Sequence, residues 1–314
     1  MSEPELITEQ FDNFTVYTFG EKYQFHYFEL KDEDSFYGSL FDYFFSEPKL
    51  LKYCQKEFNI ANELGRREYV TLFKHLKNYI DSENIEISID KLDKKLLPIF
   101  QEERLLVQKD EKTLVRLDKM GKIGEYMFFC ILSQYFHFDC IIPKVHLTTD
   151  YNMSVYGIDA LFIDKRNSML LFGESKLTCN LDNGVSLIKE SLNGYEKQIK
   201  DEYDLILSGE ILKNYKNEFT EKYGDVSELC FSFDEFVQAA QIENIGIPIF
   251  IAHGTEVDVK LIIEKLKKIP QERICGLNCI YYLISLPICN KDKMIASFTK
   301  KIKEKLEQYQ NYGS

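Results

Sequence analysis

Two kinds of hydrophobic spacing alternate along the chain. Near its start, aromatic residues fall at odd positions, Tyr17, Phe19, Tyr23, Phe25 and Tyr27, on either side of Gly20-Glu21-Lys22. That period of two predicts a hairpin. A second aromatic cluster fills Phe36–Phe45. From about 48 to 82 the spacing becomes three and four, with Leu51, Cys54, Phe58, Ala61 and Leu64 in step, and the pattern predicts a helix that ends at Ser82-Glu83-Asn84. Residues 91–108 read as a helix interrupted at Pro98.

The later pattern alternates short apolar runs with amphipathic stretches. It predicts a helix over 119–136, a strand over 138–146, a hairpin over 156–177 and a helix over 184–208 opened by Asp182-Asn183-Gly184. An apolar run follows at Ile247–Ala252, then an amphipathic helix at Val257–Lys268 and another apolar run at Asn278–Leu286, closed by Pro287. Lys291–Gln310 reads as a Lys-rich helix with Met294, Phe298, Ile302 and Leu306 on one stripe. Helices and strands in this order give an α/β layered architecture. A boundary falls near residue 105. Residues 1–105 form an aromatic-rich α+β part suited to partner binding or regulation, and 106–314 form a second domain.

One stretch breaks the apolar rule. Ile158–Phe162 and Met169–Phe172 flank the polar turn Lys165-Arg166-Asn167-Ser168, and the hairpin so predicted pairs residues whose numbers sum to 333. Asp159 then lies opposite Glu174, and period-2 alternation puts Lys176 on the face of Glu174. Both strands are apolar on both faces, as central strands are. Facing carboxylates there repel and are costly to bury. They are tolerated if they share a proton or a divalent cation. A hard ion such as Mg²⁺ takes carboxylate and carbonyl oxygens and suits phosphate substrates. The bland alternative is an exposed hairpin end with a surface ion pair, worth ~0–1 kcal/mol.

Asp, a gap of about fifteen residues, then Glu-x-Lys on the next strand resembles the core of the PD-(D/E)xK nucleases. Gly124-Glu125 opens an apolar helical run upstream, and Ile142-Pro143-Lys144, Gly157-Ile158-Asp159 and Gly173-Glu174-Ser175-Lys176 follow in order. Over roughly residues 105–290 the chain is similar to the DUF1837, or HamA, family, the nuclease subunit of Hachiman anti-phage defence. No Pro precedes Asp159, a departure from the motif. The resemblance implies a restriction-endonuclease-like fold, a mixed sheet flanked by helices, here with an N-terminal α+β extension. It implies a Mg²⁺-dependent DNA endonuclease, with Mn²⁺ as a substitute, and a partner helicase. Asp159, Glu174 and the Ser175 carbonyl would hold the metal, Lys176 would orient water or stabilise charge, and Glu125 would assist. Lys144 and Lys189 are candidates for phosphate contact, set against the ordinary reading of solvated lysines. A non-catalytic subunit that keeps the fold, and an RNA nuclease, remain as alternatives.

Charge complicates a nucleic-acid partner. The net charge is −12, whereas autonomous DNA binders present a basic face. The imbalance is local: residues 1–50 hold eleven acids against three bases, and 260–305 hold eleven bases against four acids. A basic C-terminal element tracking phosphates, delivery of the substrate by a partner, and restraint by the acidic N-terminal part are each consistent with this distribution. Eight Cys include no Cys-x-x-Cys, so buried reduced thiols in a cytoplasmic protein are expected. No run of eighteen apolar residues suggests a membrane span. The five His lack zinc-hydrolase spacing, and neither a P-loop nor a Gly-x-Ser-x-Gly elbow is present. Any strand separation therefore belongs to another polypeptide.

Overall fold

The computed structural model describes residues 7–10, 14–19, 23–30, 33–44, 46, 85–88, 94, 97–103, 106–117, 120–143, 158–164, 167, 169–208, 232–239, 241–254, 258–288 and 290–310. The helix expected over 48–82 lies outside them, as does Lys144.

Nine of the described strands form one mixed sheet. In chain order they are β1 (Ile7–Gln10), β2 (Phe14–Phe19), β3 (Tyr23–Leu30), β7 (Asp139–Pro143), β8 (Ala160–Asp164), β9 (Met169–Thr178), β10 (Asn244–Gly254), β11 (Arg273–Ile274) and β12 (Leu277–Ile288). The spatial order is β1-β2-β3-β12-β10-β9-β8-β7, with β11 paired to β12. β3, β12, β10 and β9 run parallel; β9, β8 and β7 alternate in direction. A separate sheet joins β4 (Ile85–Ser88), β6 (Lys112–Leu117) and β5 (Leu106–Lys109). The expected aromatic hairpin forms as β2–β3, with Phe19 opposite Phe25. Elements on both sides of residue 105 share the main sheet, because β3 is the neighbour of β12.

Each central strand is apolar on both faces, and the two sets of side chains feed two cores. On one face Leu171, Leu177, Phe250 and Ala252 pack against α1 (Glu33–Phe44), α3 (Met120–Cys130) and α8 (Lys291–Gln310). The stripe expected on α8 is buried at Met294, Phe298 and Ile302. On the other face Phe172, Ile247, Ile249, Ile251 and Leu283 meet α4 (Leu181–Asn193), α5 (Tyr195–Ser208), α6 (Phe233–Ala239) and α7 (Val259–Leu266). A large apolar side chain fully buried in this way contributes roughly 1.5–3 kcal/mol. Residues of alternate parity along one strand therefore serve different layers, and that parity positions the site.

Two expectations are corrected. Residues 91–108 are not one interrupted helix: α2 (Leu97–Glu102) carries Pro98 in its first turn and β5 follows. Proline lacks the N–H that a first helical turn leaves unbonded anyway, so it begins this helix instead of breaking one. The β5–β6 hairpin turns at Asp110 and Glu111, both at positive φ (49° and 60°), as a type I′ turn requires. The helix expected over 184–208 starts earlier and divides at Gly194. Its N-cap is Asn180, whose side chain accepts from Asn183 N at 2.9 Å.

Candidate active site

The hairpin register comes out as the turn predicts. Ala160 faces Gly173, Leu161 faces Phe172 and Asp164 faces Met169. The ladder stops there. Asp159 lies just before β8, and its N–H donates to Gly173 O at 3.0 Å. Its carboxylate is held by the residue after Glu174: Oδ2 accepts from Ser175 N at 2.8 Å and from Ser175 Oγ at 2.9 Å. Among the described residues no strand flanks β9 on this side beyond Gly173, so Asp159 takes the place of a ladder partner. In an extended strand the N–H and C=O of one residue point to the same side. The Ser175 carbonyl therefore projects from the edge that Asp159 occupies.

Glu174 and Lys176 share the face of Phe172. Glu174 is 3% exposed, and its Oε1 is ion-paired with Lys176 Nζ at 2.5 Å. The Lys176 side chain retains a quarter of its exposure, so the pair has a buried end and a wet end. On the other side β10 runs parallel, with Ile249 beside Glu174 and Ile251 beside Lys176. Each carboxylate thus has its own compensation: Ser175 donors on Asp159, an ammonium on Glu174. The repulsion anticipated from sequence is met by the protein's own groups.

Tyr195 packs against the strand that carries Glu174. It is fully buried and donates to Phe172 O at 2.9 Å. Burial raises its phenol well above the usual value, and the charges of Glu174 and then Asp159 push it further. The phenol therefore stays protonated and keeps donating. Nothing in the sequence marks Tyr195 except its place after Gly194, the residue that breaks the helix.

α3 packs on the opposite face of β9. A Cβ on Gly124 would meet Leu177 Cβ at 3.4 Å, and one on Gly173 would meet the Phe128 ring at 2.7 Å. Glu125 lies half-buried on this helix, across the strand from Glu174. Among the described residues no group of three His, Cys, Asp or Glu side chains converges on one ion position. Lys189 is exposed on α4. The structure joins Asp159 to Ser175 and Glu174 to Lys176 on one stretch of β9.

A family model described as HamA matches residues 5–302. The chain belongs to the HamA family. The match takes in β1–β3 as well as the β8–β9 hairpin. The chain matches no curated protein and no solved structure.

Other polar groups in this member of the HamA family have structural roles. His253 is fully buried, with Nε2 on Ser285 Oγ at 2.8 Å and Nδ1 on Gly254 O at 3.3 Å. Cys275 N donates to Glu196 Oε1 at 2.8 Å. Burial, then the charge of Glu196, pushes the Cys275 thiol up to about 12. The five described cysteines are all free. No helix among the described residues is long and apolar enough to cross a membrane.

Proposed function

We propose that this HamA protein is the metal-dependent DNA endonuclease of a Hachiman anti-phage defence system, with a PD-(D/E)xK core and a partner helicase controlling it. The observation that carries this reading is the edge of β9. Asp159, Glu174, the Ser175 carbonyl and Lys176 meet where β8 ends and a strand edge opens.

The donor set fits a hard divalent cation: two carboxylates and a carbonyl, all oxygen, with no thiolate or imidazole. Asp159, Glu174 and the Ser175 carbonyl would hold Mg²⁺ or Mn²⁺. Such an ion would supply Lewis-acid stabilisation of charge on a phosphoryl oxygen. The chain's own residues do the rest. Asp159 is already oriented by Ser175, and Glu174 by Lys176, so little ordering is left for binding to achieve. Lys176, with its wet end, is the group that can leave Glu174 to orient a water or stabilise charge developing on phosphate. Its ammonium is a point charge on a flexible stem, suited to that movement. Glu125 assists from the other face of the strand, and Lys189 and Lys144 contact phosphate. The acidic total charge fits delivery of DNA by the helicase better than autonomous capture.

The test is cleavage of DNA and of RNA by the purified chain, alone and with the helicase of a Hachiman system, with and without Mg²⁺. Mg²⁺-dependent cutting of DNA is expected, lowered about 10²- to 10⁴-fold by Glu174→Ala and by Lys176→Ala. Undiminished cutting by both variants discards this site. Cutting of RNA alone changes the substrate. If neither nucleic acid is cut in any combination, the chain is a non-catalytic subunit that keeps the fold.

A further inference from the structure

The edge of β9 past Gly173, which no strand among the described residues flanks, carries a second carboxylate besides Asp159. Past Gly173, alternate backbone N–H groups face the side that β8 has left. Ser175 N finds Asp159. Cys179 N, four residues on, finds Glu103 Oε1 at 2.7 Å. Glu103 comes from 76 residues upstream, directly after α2, and is 7% exposed. The same Oε1 accepts from Asn183 Nδ2 at 3.1 Å. Its neighbour Glu102 accepts from Asn180 Nδ2 at 2.8 Å and from Asn183 Nδ2 at 3.1 Å. Asn180 is the N-cap of α4. Two adjacent acids thus hold the end of β9 and the first turn of the next helix, where carboxylates also complement the helix dipole.

Cys179 is held from its other side as well. Its carbonyl accepts from Gly254 N at 3.1 Å, and a Cβ on Gly254 would lie 2.3 Å from that oxygen. The strand segment 174–178 is therefore fixed at one end by Gly173 in the β8 ladder and at the other by Glu103 and Gly254 around Cys179. Glu174 and Lys176 sit between the two anchors.

We propose that Glu103 is a positioning residue for the β9 site, acting through Cys179 and Asn183 to set the strand that presents Glu174 and Lys176. This rests on the nuclease reading given above. Glu103 touches neither substrate nor ion. Its effect is on the geometry of the strand, so it should alter turnover and leave substrate binding alone.

Two variants separate positioning from mere loss of fold. Glu103→Gln keeps an acceptor oxygen for Cys179 N and Asn183 and is expected to stay within about threefold of the unaltered chain. Glu103→Ala removes that acceptor and is expected to lower kcat about 10- to 100-fold, the usual cost of losing an outer partner of a site, with KM within about twofold. Hydrogen exchange, read on the same proteins, should show the Ala variant opening faster across 174–183, with β12 unchanged. If Glu103→Ala keeps its kcat, or if Gln fails as badly as Ala, the proposal is overturned. If the unaltered chain cuts nothing, the nuclease reading fails, and exchange alone decides whether Glu103 fixes the strand. Unchanged exchange across 174–183 in Glu103→Ala removes the clamp whatever the activity.

Discussion

The two halves of β9 differ in one respect that accounts for their chemistry. Met169–Gly173 is flanked by β8 on one side, and every residue in it is apolar or glycine. Glu174–Thr178 keeps β10 but has no strand on the other side among the described residues. Apolar side chains suffice in the first half because the ladder satisfies the backbone. In the second half carboxylates serve as side-chain acceptors for the backbone, at Ser175 and, one residue past the strand, at Cys179. A strand edge that calls in charged side chains to complete itself also becomes a place where charge can work. The same strand is scaffold for five residues and candidate site for the next five.

The sharpest probe of this difference is Asp159→Asn. An asparagine oxygen can still accept from Ser175 N and Oγ, so the edge stays satisfied while the negative charge goes. Divalent-ion affinity and cleavage should fall about 10- to 100-fold, with the melting temperature moved by little. If Asp159 served only to finish the edge, Asn would be silent in both assays. Paired with Glu174→Ala, whose effect on cleavage should be larger, this substitution weighs charge against hydrogen bonding on the two sides of one strand.

Gly173→Ala asks the opposite question at the boundary of the paired half. The new Cβ would sit 2.7 Å from Cε1 and Cζ of the Phe128 ring, with Pro248 at 3.4 Å. Phe128 is fully buried and stacks on Phe250, ring centroids 5.9 Å apart, so it has little room to give. Overpacking of this kind costs about 1–3 kcal/mol. Urea denaturation should register the loss, and cleavage per folded molecule should fall far less than with Glu174→Ala. A drop in specific activity without a drop in stability would move Gly173 from the scaffold half to the site half.

The sequence made some of this legible and left the rest out of reach, for physical reasons. Register was legible because a polar turn fixes which residues face one another. The pairing of Ala160 with Gly173 follows from Lys165–Ser168 alone. The strands of the parallel core were legible because burial on both faces leaves uninterrupted apolar runs, as in β10 and β12. The reach of the Asp159 carboxylate was not, since it depends on β8 stopping at the Ala160–Gly173 pair, which leaves Asp159 one residue outside the ladder. Glu103 was beyond any local pattern: its partners are 76 and 80 residues away, and two acids at the end of a short helix look like solvated surface. The break at Gly194 was hidden because a single glycine is compatible with a continuous helix, and with that break went the position of Tyr195.

Tyr195 supports the smallest effect, and pH resolves it. Tyr195→Phe leaves the buried Phe172 carbonyl without its donor and should cost about 1 kcal/mol at neutral pH. The phenol's value in the folded protein is raised above the usual 10, by burial first and then by Glu174 and Asp159. The folded state therefore holds its proton at pH values where the unfolded chain has lost it. The unfolded state binds fewer protons there, so stability falls as pH rises. This contribution is complete below pH 10 and drains away above it. Phenylalanine has no such proton to lose, so the gap between the two proteins should narrow above pH 10 while staying constant from 6 to 9. Urea midpoints across that range measure it. A gap that widens in alkali would mean that the phenol ionises more easily in the fold than in the unfolded chain.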